Sequence, residues 1–396
     1  MRHRVLAIAI AALLIPAMAP LGGGEVEAAP KKKVAVQKKA KAKAGGAKKK
    51  GNSASRPRRP AAAAPAVVDD PSQPLGASWK RHLDRYFAQN RPEFGAFVAI
   101  DVETGAPVAV SEYTSNARIA HPATTAAFPA ASIFKVITTA ALLEGGAIKP
   151  GTSTCYSGGS HSLEPVHLKD SKRDRACRSL AGAFAHSTNA VFGKLAIRHL
   201  DAGRLVAMAE RLGFNRVLRL GELEAESRAV RPAGELALAR MAAGFANSTL
   251  APLHGAVLGA IVATGGLLPS GVTLAPKGTA SATAVDPTGR LISADAAARI
   301  REMMVTTSVD GTAGKYLARF KGHGGGVAVK TGTLTSTDGS GLFNTWMVGF
   351  FPASRPEFAF AALVSTKGSG PVKAGHLTRH AIDTFLKLKR ARAGQS

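Results

Sequence analysis

Ser132 and Lys135 stand three residues apart in the stretch Pro129-Ala130-Ala131-Ser132-Ile133-Phe134-Lys135. On a helix that spacing puts a hydroxyl and an amine on one face. Pro129 and the small residues after it suit a helix start, and Ile133, Phe134, Val136 and Ile137 can point into a core. A serine hydroxyl is a weak nucleophile until a base takes its proton. A free lysine, with a pKa near ~10.4, is protonated at neutral pH. It serves as that base only after burial or a neighbouring cation lowers its pKa. The pair therefore permits nucleophilic catalysis, although S-x-x-K also arises by chance on helices with an ordinary surface lysine.

Two further stretches carry compatible chemistry. Ser187-Thr188-Asn189 precedes the apolar run Ala190 to Leu200; either hydroxyl could simply cap that helix. Lys330-Thr331-Gly332-Thr333 follows the strand-like Val327 to Val329. There Lys330 offers a cation and Thr331 a hydroxyl to an anionic or carbonyl group. Gly332, without a side chain, would let a ligand backbone approach the strand edge. Taken singly, a charged residue at a strand end is common.

In this order, S-x-x-K, S-x-N and K-T-G resemble the serine penicillin-recognising enzymes, which comprise penicillin-binding proteins and serine β-lactamases. Gly105, Leu212-Gly213-Phe214, Ala251-Pro252-Leu253, Gly265-Gly266 and Trp346-Met347-Val348-Gly349-Phe350-Phe351-Pro352 look like further landmarks of transpeptidase domains. The likeness covers about residues 90 to 390 and points to a monofunctional, class B-like catalytic domain. It implies that Ser132 attacks the carbonyl of a D-alanyl-D-alanine stem peptide, or of a β-lactam that mimics it. Lys135 would take the serine proton. Ser187, hydrogen-bonded between Lys135 and Lys330, would relay a proton to the leaving amine. Asn189 would hold Lys135 and a substrate amide, and Lys330 and Thr331 would bind the terminal carboxylate. The N–H groups of Ser132 and Thr333 would form the oxyanion hole, where a donor is typically worth ~3–4 kcal/mol of barrier. The resemblance calls for no metal and no cofactor.

The acyl-enzyme so formed would pass to an amine, cross-linking peptidoglycan, or to water. The implied activity is D,D-transpeptidation, with D,D-carboxypeptidase and serine β-lactamase as alternatives and a catalytically inactive wall-binding protein as a third. Asn189 disfavours the class D-like enzymes, which resemble each other in an apolar residue there. Arg219-Leu220-Gly221-Glu222-Leu223-Glu224-Ala225 does not fit the R-x-E-x-x-L-N loop of class A β-lactamases and reads as a solvated loop, as do its neighbouring acids Glu222, Glu224 and Glu226. His186, beside Ser187, reads as a packing or surface residue. Monofunctional transpeptidases of the elongation and division type usually carry a folded module before the catalytic domain; here the stretch reads as a disordered basic tether instead, which puts in doubt a specific partnership with that machinery.

Elements able to position these groups are legible. Trp79 to Phe87 reads as an amphipathic helix, and Ala96 to Val102 with Pro107 to Ser111 reads as a hairpin around Glu103-Thr104-Gly105. Residues 132 to 320 read as mostly helical. Val327 to Thr333, Thr345 to Phe351 and Phe358 to Ser365 read as strands, and Val372 to Arg390 as a closing helix with a basic end. The expected fold is α+β, and the resemblance implies the β-lactamase/transpeptidase type. It has an antiparallel sheet of about five strands flanked by helices, an all-helical lobe, and the site in the cleft between them. Gly324-Gly325-Gly326 lacks the following helix of a phosphate loop and reads as a turn.

The rest of the chain frames this region. Of its 396 residues 45% are hydrophobic, ample for a core, and the net charge is +26. Residues 1–28 read as an export signal: Arg2, His3 and Arg4 precede the uncharged Val5 to Leu21, and Val26-Glu27-Ala28 offers a cleavage site. The alternative is an uncleaved anchor in the inner membrane; either places the remainder outside the cytoplasm, in the periplasm. Residues 29–74 carry thirteen Lys and Arg and no acid between Lys31 and Pro60. Such a segment reads as a disordered basic linker, suited to an anionic envelope rather than to nucleic acid, or as a plain spacer. Residues 75–396 then form the catalytic domain, with peptidoglycan stem peptides as partner and β-lactams as inhibitors. Cys155 and Cys177 read as a disulfide in an oxidising compartment, or with His161 and His167 as a zinc set.

Overall fold

The computed structural model describes residue 69, residues 72–277 and residues 289–394. The expected export segment and nearly all of the basic linker lie outside the described residues. Among the described residues no helix is long and apolar enough to cross a membrane.

Five strands, β1 (Phe94–Asp101), β2 (Pro107–Thr114), β3 (Ala328–Thr335), β4 (Leu342–Phe351) and β5 (Phe358–Lys367), form one sheet in the order β3-β4-β5-β1-β2. Every neighbouring pair is antiparallel. The β1–β2 turn closes on Asp101, whose carboxylate accepts from the N–H groups of Glu103 and Thr104. Gly105 follows at φ +76°, a conformation that favours glycine.

The central strands read as nearly unbroken apolar runs because both faces of the sheet are covered. Along β1, Ala96, Val98 and Ile100 enter the core beneath the helical lobe. Phe97 and Ala99 point the other way, into a second core. That second core is closed by α1 (Leu75–Asn90) and α7 (Ala374–Ala393). Trp79 on α1 packs against Phe97, Phe358 and Phe385 and donates its indole N–H to the Ala381 carbonyl at 2.9 Å.

The lobe on the inner face contains α2 (Lys135–Glu144), α3 (Asn189–His199), α4 (Gly234–Ala243), α5 (Pro252–Ala263) and α6 (Ala294–Val309). All of α5 is buried. It crosses the sheet closely enough that a Cβ on Gly259 would lie 2.5 Å from the Gly349 carbonyl. The stretch expected to be mostly helical also contains short strands. Arg216–Leu220 and Leu223–Ala225 form a hairpin flanked by Val272–Pro276. The segment read as a solvated loop is thus ordered, because Leu218, Leu220 and Ala225 are buried, with the Arg219–Glu224 ion pair at 2.9 Å closing it outside.

Candidate active site

The local structure of Ser132 differs from the expected helix start. Ser132 sits on the 3-10 turn Ala131–Phe134, and α2 begins only at Lys135. The cause lies one residue earlier: Ala131 has φ +49°, which L-residues adopt at a cost. Its surroundings hold it there. Trp346 donates its indole N–H to the Pro129 carbonyl at 3.0 Å, and the Ala130 N–H donates to the Ser248 carbonyl. Gly244, just past α4 at φ +86°, lies so close that a Cβ there would stand 2.0 Å from the Ala131 carbonyl oxygen.

Lys135 is fully buried. Its Nζ lies 2.8 Å from the Ser132 Oγ, 2.7 Å from the Asn189 Oδ1 and 2.6 Å from the Ala243 carbonyl. Asn189, the first residue of α3, is oriented by its amide N–H, which donates to the Ser160 carbonyl at 2.7 Å. Burial, and after it the charge of Lys330, holds the Lys135 amine well below the usual lysine range. The contact set suits a neutral amine. Its two N–H groups meet two oxygens that only accept, and its lone pair meets the one hydroxyl that can donate.

Lys330 is also fully buried. It donates to the Thr331 carbonyl at 2.9 Å and to the Ser187 Oγ at 3.2 Å, over the Phe184 ring. Burial pushes its pKa down to about 7. Ser187 itself stands at φ +55°. The expected bond from Lys135 to Ser187 is replaced: Asn189, the Ala243 carbonyl and Ser132 fill the coordination of Lys135, and Ser187 pairs with Lys330. No side-chain cap explains Ser187 or Thr188 either, since the cap position, Thr188, makes no such bond.

A cleft of about 390 Å³ opens over Ser132, Ser187, Asn189, Thr331 and Thr333. Gly332 lines the cleft as well. A Cβ there would meet Trp346, Ala131 and Ile133 at 3.2–3.3 Å, so the missing side chain also makes room for the segment that carries Ser132.

Several groups at the site escaped sequence reasoning. Thr312 shares a 2.6 Å hydroxyl contact with Thr331, and its N–H donates to the Ala185 carbonyl just before the Ser187 turn; the preceding Asp310-Gly311 pair was a usable turn signal. The Ala243 and Ser160 carbonyls had none, because a backbone oxygen is the same in every residue. His186 is half-buried at the margin, 3.8 Å from Asp310. Cys155 and Cys177 are joined in a disulfide, in register across paired strands, which removes both thiolates from any zinc set. The loop they bracket carries Ser160. Lys194, buried on α3, ties that loop down through Asp174 at 2.5 Å, Asp170 at 3.2 Å and the Cys155 carbonyl at 3.0 Å.

The family model for the penicillin binding protein transpeptidase domain matches residues 95–383. The peptidoglycan D,D-transpeptidase PbpA of Mycobacterium tuberculosis (strain H37Rv) is 30% identical over 285 residues, 66% of this chain and 55% of that protein. PbpA of Mycolicibacterium smegmatis is 28% identical over 256 residues, 61% and 50% of the two chains. The chain thus spans about half the length of these curated relatives. Among solved structures, the D,D-transpeptidase domain of a peptidoglycan glycosyltransferase from Eggerthella lenta superposes with a TM-score of 0.61 at 22% identity, covering 78% of this chain and 81% of that one. Penicillin-binding protein A from M. tuberculosis, as a ceftriaxone acyl-enzyme complex, superposes with a TM-score of 0.57 at 26% identity over 78% of each chain.

Proposed function

The chain belongs to the penicillin-binding protein transpeptidase family, and from that premise we propose that it is a peptidoglycan D,D-transpeptidase working through an acyl-enzyme on Ser132. One observation carries this reading: a buried lysine amine 2.8 Å from the serine hydroxyl, its other contacts all to acceptors. In our reading Lys135 takes the Ser132 proton as Oγ attacks the carbonyl of the penultimate D-alanine. The N–H groups of Ser132 and Thr333 hold the developing oxyanion. Lys330, with Thr331 and Thr333, binds the terminal carboxylate, and Ser187 passes a proton to the departing D-alanine nitrogen. Asn189 keeps Lys135 aimed.

The donor's acyl portion fits a second groove of about 290 Å³ farther along β3, lined by Pro129, Phe245, Asn247, Leu334 and Thr335. An export signal at residues 1–28 and an anionic envelope as partner of the basic linker 29–74 complete the proposal; they rest on the basic n-region, the uncharged run and the Lys-rich composition.

The test is intact-mass spectrometry with benzylpenicillin, followed by incubation with purified muropeptides. A long-lived adduct lost in Ser132→Ala, with cross-linked dimers formed, supports the proposal. Rapid drug turnover indicates a β-lactamase, trimmed monomers alone a carboxypeptidase, and no adduct on the folded protein a non-catalytic binder.

A further inference from the structure

The cleft over Ser132 does not end at the Thr331 and Thr333 hydroxyls. It runs on to a ledge built from Lys315, Tyr316, Phe343, Thr345, Lys373 and Gly375. Thr345 and Phe343 stand opposite Thr333 and Thr335 in the β3–β4 register, so the ledge adjoins the strand that carries those hydroxyls.

Its construction is specific. A Cβ on Gly375 would lie 2.4 Å from the Tyr316 ring, so only glycine lets that ring seat against the first turn of α7. The Ala374 N–H is fixed by the Thr345 hydroxyl at 2.9 Å. The Lys373 Nζ lies 5.6 Å from the Phe343 ring centroid and the Lys315 Nζ 4.9 Å from that of Tyr316. His376 closes the group, with its Nδ1 accepting from the Lys373 N–H at 3.2 Å and its ring edge-on to Tyr316.

The charge on this ledge is of one sign. Among the described residues no carboxylate lies within ion-pair distance of Lys315 or Lys373, whereas Arg379 one turn on is paired with Asp383 at 3.8 Å. The first turn of α7 holds no acid, and its end adds the positive pole of the helix. His376 is held below the usual histidine range by burial first and then by Lys315, Lys373 and Arg379. Cations gathered without a counter-charge, inside the reaction cleft, suit an anion brought by a ligand.

The proposed mechanism already assigns the carboxylate of the leaving D-alanine to Lys330, Thr331 and Thr333. The second substrate has no such assignment. In the second half-reaction the acceptor amine attacks the ester carbonyl on Ser132; a C–N bond forms, the C–Oγ bond breaks, Ser187 takes the amine proton, and Lys135 returns its proton to the released Oγ. By microscopic reversibility that amine stands where the leaving amine stood, and the ledge lines the same cleft as Ser132 and Ser187. We propose that Lys315 and Lys373, on the Tyr316 and Phe343 platform at the head of α7, form a subsite for a carboxylate of the acceptor stem peptide. This rests on the transpeptidase reading above. It predicts that these lysines select an acidic acceptor amine over water without taking part in acylation.

The experiment uses the full chain, a thioester acyl donor ending in D-alanine analogue chemistry, and two acceptors: a stem tetrapeptide with free carboxylates and the same peptide with its C-terminus amidated. The readout is the ratio of cross-linked to hydrolysed product. The double variant Lys315→Gln, Lys373→Gln should lower this ratio about tenfold for the free-acid acceptor and less than twofold for the amide, and Lys315→Arg, Lys373→Arg should keep the preference. Lys321→Gln, an exposed lysine outside the cleft, controls for net charge. An equal fall for both acceptors, a fall in the Lys321 variant, or an unchanged ratio for the free acid would overturn the subsite. If the parent enzyme forms no acyl adduct with the thioester or with benzylpenicillin, the transpeptidase reading itself fails, an outcome distinct from those.

Discussion

The Lys135 amine stands 2.8 Å from the Ser132 hydroxyl in a shell that, among the described residues, holds no carboxylate. A buried ammonium ion without a counter-charge is costly, so the site favours the neutral amine that a base requires. Lys135→Gln keeps a polar group of similar reach but no proton acceptor of comparable basicity. Its second-order acylation rate with benzylpenicillin should fall by about 10²–10⁴-fold, while Ser132→Ala should form no adduct at all. Stopped-flow acylation and intact mass read both.

The two buried lysines set opposite limbs of a pH profile. Lys135 must be neutral, and its lowered pKa lets the rate rise early, on the acid side. Lys330, proposed to hold the carboxylate, must be charged to do so, and burial brings its pKa down to about 7. The acylation rate constant at low β-lactam concentration should therefore be bell-shaped, with its alkaline limb beginning near neutrality. Lys330→Met removes the charge that helps depress Lys135. Its acid limb should move to higher pH, and its alkaline limb should disappear.

The same lysine links stability to pH. An unfolded lysine holds its proton to about pH 10.4, whereas folded Lys330 releases it through about 7. Between those values the unfolded chain binds more protons, so this contribution to stability grows with rising pH and is lost as pH falls toward 7. Urea unfolding at pH 7 and 9 should show the native protein gaining relative to Lys330→Met, by up to about 1.4 kcal/mol per pH unit.

Much of this arrangement is written in the side chains. The residues proposed to carry the chemistry, Ser132, Lys135, Ser187, Asn189 and the Lys330 segment, stand in recognisable motifs, and the apolar runs of β1, β4 and β5 mark strands covered on both faces. What stayed hidden depends on backbone meeting backbone. The Ala243 carbonyl that receives Lys135 has no residue signature. Neither does the 3-10 turn under Ser132, which exists because Gly244 lets α4 press on Ala131. Gly332 lines the cleft, but its want of a side chain also makes room for Ala131 and Ile133, a crowding that a strand glycine does not disclose in sequence. The link between Lys135 and Ser187 was inferred from resemblance, and here Asn189 and Ala243 take those contacts instead.

The Cys155–Cys177 disulfide closes a loop whose Ser160 carbonyl orients Asn189. Opening that loop should cost stability as well as precision at the site. In the chain-entropy model the closed loop contributes ~3 kcal/mol. Cys155→Ser, Cys177→Ser should lower unfolding free energy by about that amount in guanidinium titrations. Dithiothreitol should destabilise the native protein similarly and leave the variant unmoved.

Gly244 offers the sharpest separation of backbone strain from collision. An alanine there meets two penalties: a left-handed backbone, worth roughly 1–2 kcal/mol, and a Cβ placed 2.0 Å from the Ala131 carbonyl oxygen and 3.0 Å from the Ser132 N–H nitrogen. Gly146, at φ +69°, has open space within 4 Å of where a Cβ would stand, and so carries the first penalty alone. Gly146→Ala should therefore lose about 1–2 kcal/mol of stability and keep its acylation rate. Gly244→Ala should lose more than that and acylate at least tenfold more slowly, because relief of the collision must push the nucleophile's turn away from Lys135. Thermal unfolding beside penicillin acylation for the two variants decides the point: equal acylation rates would show that the Ser132 turn does not lean on Gly244.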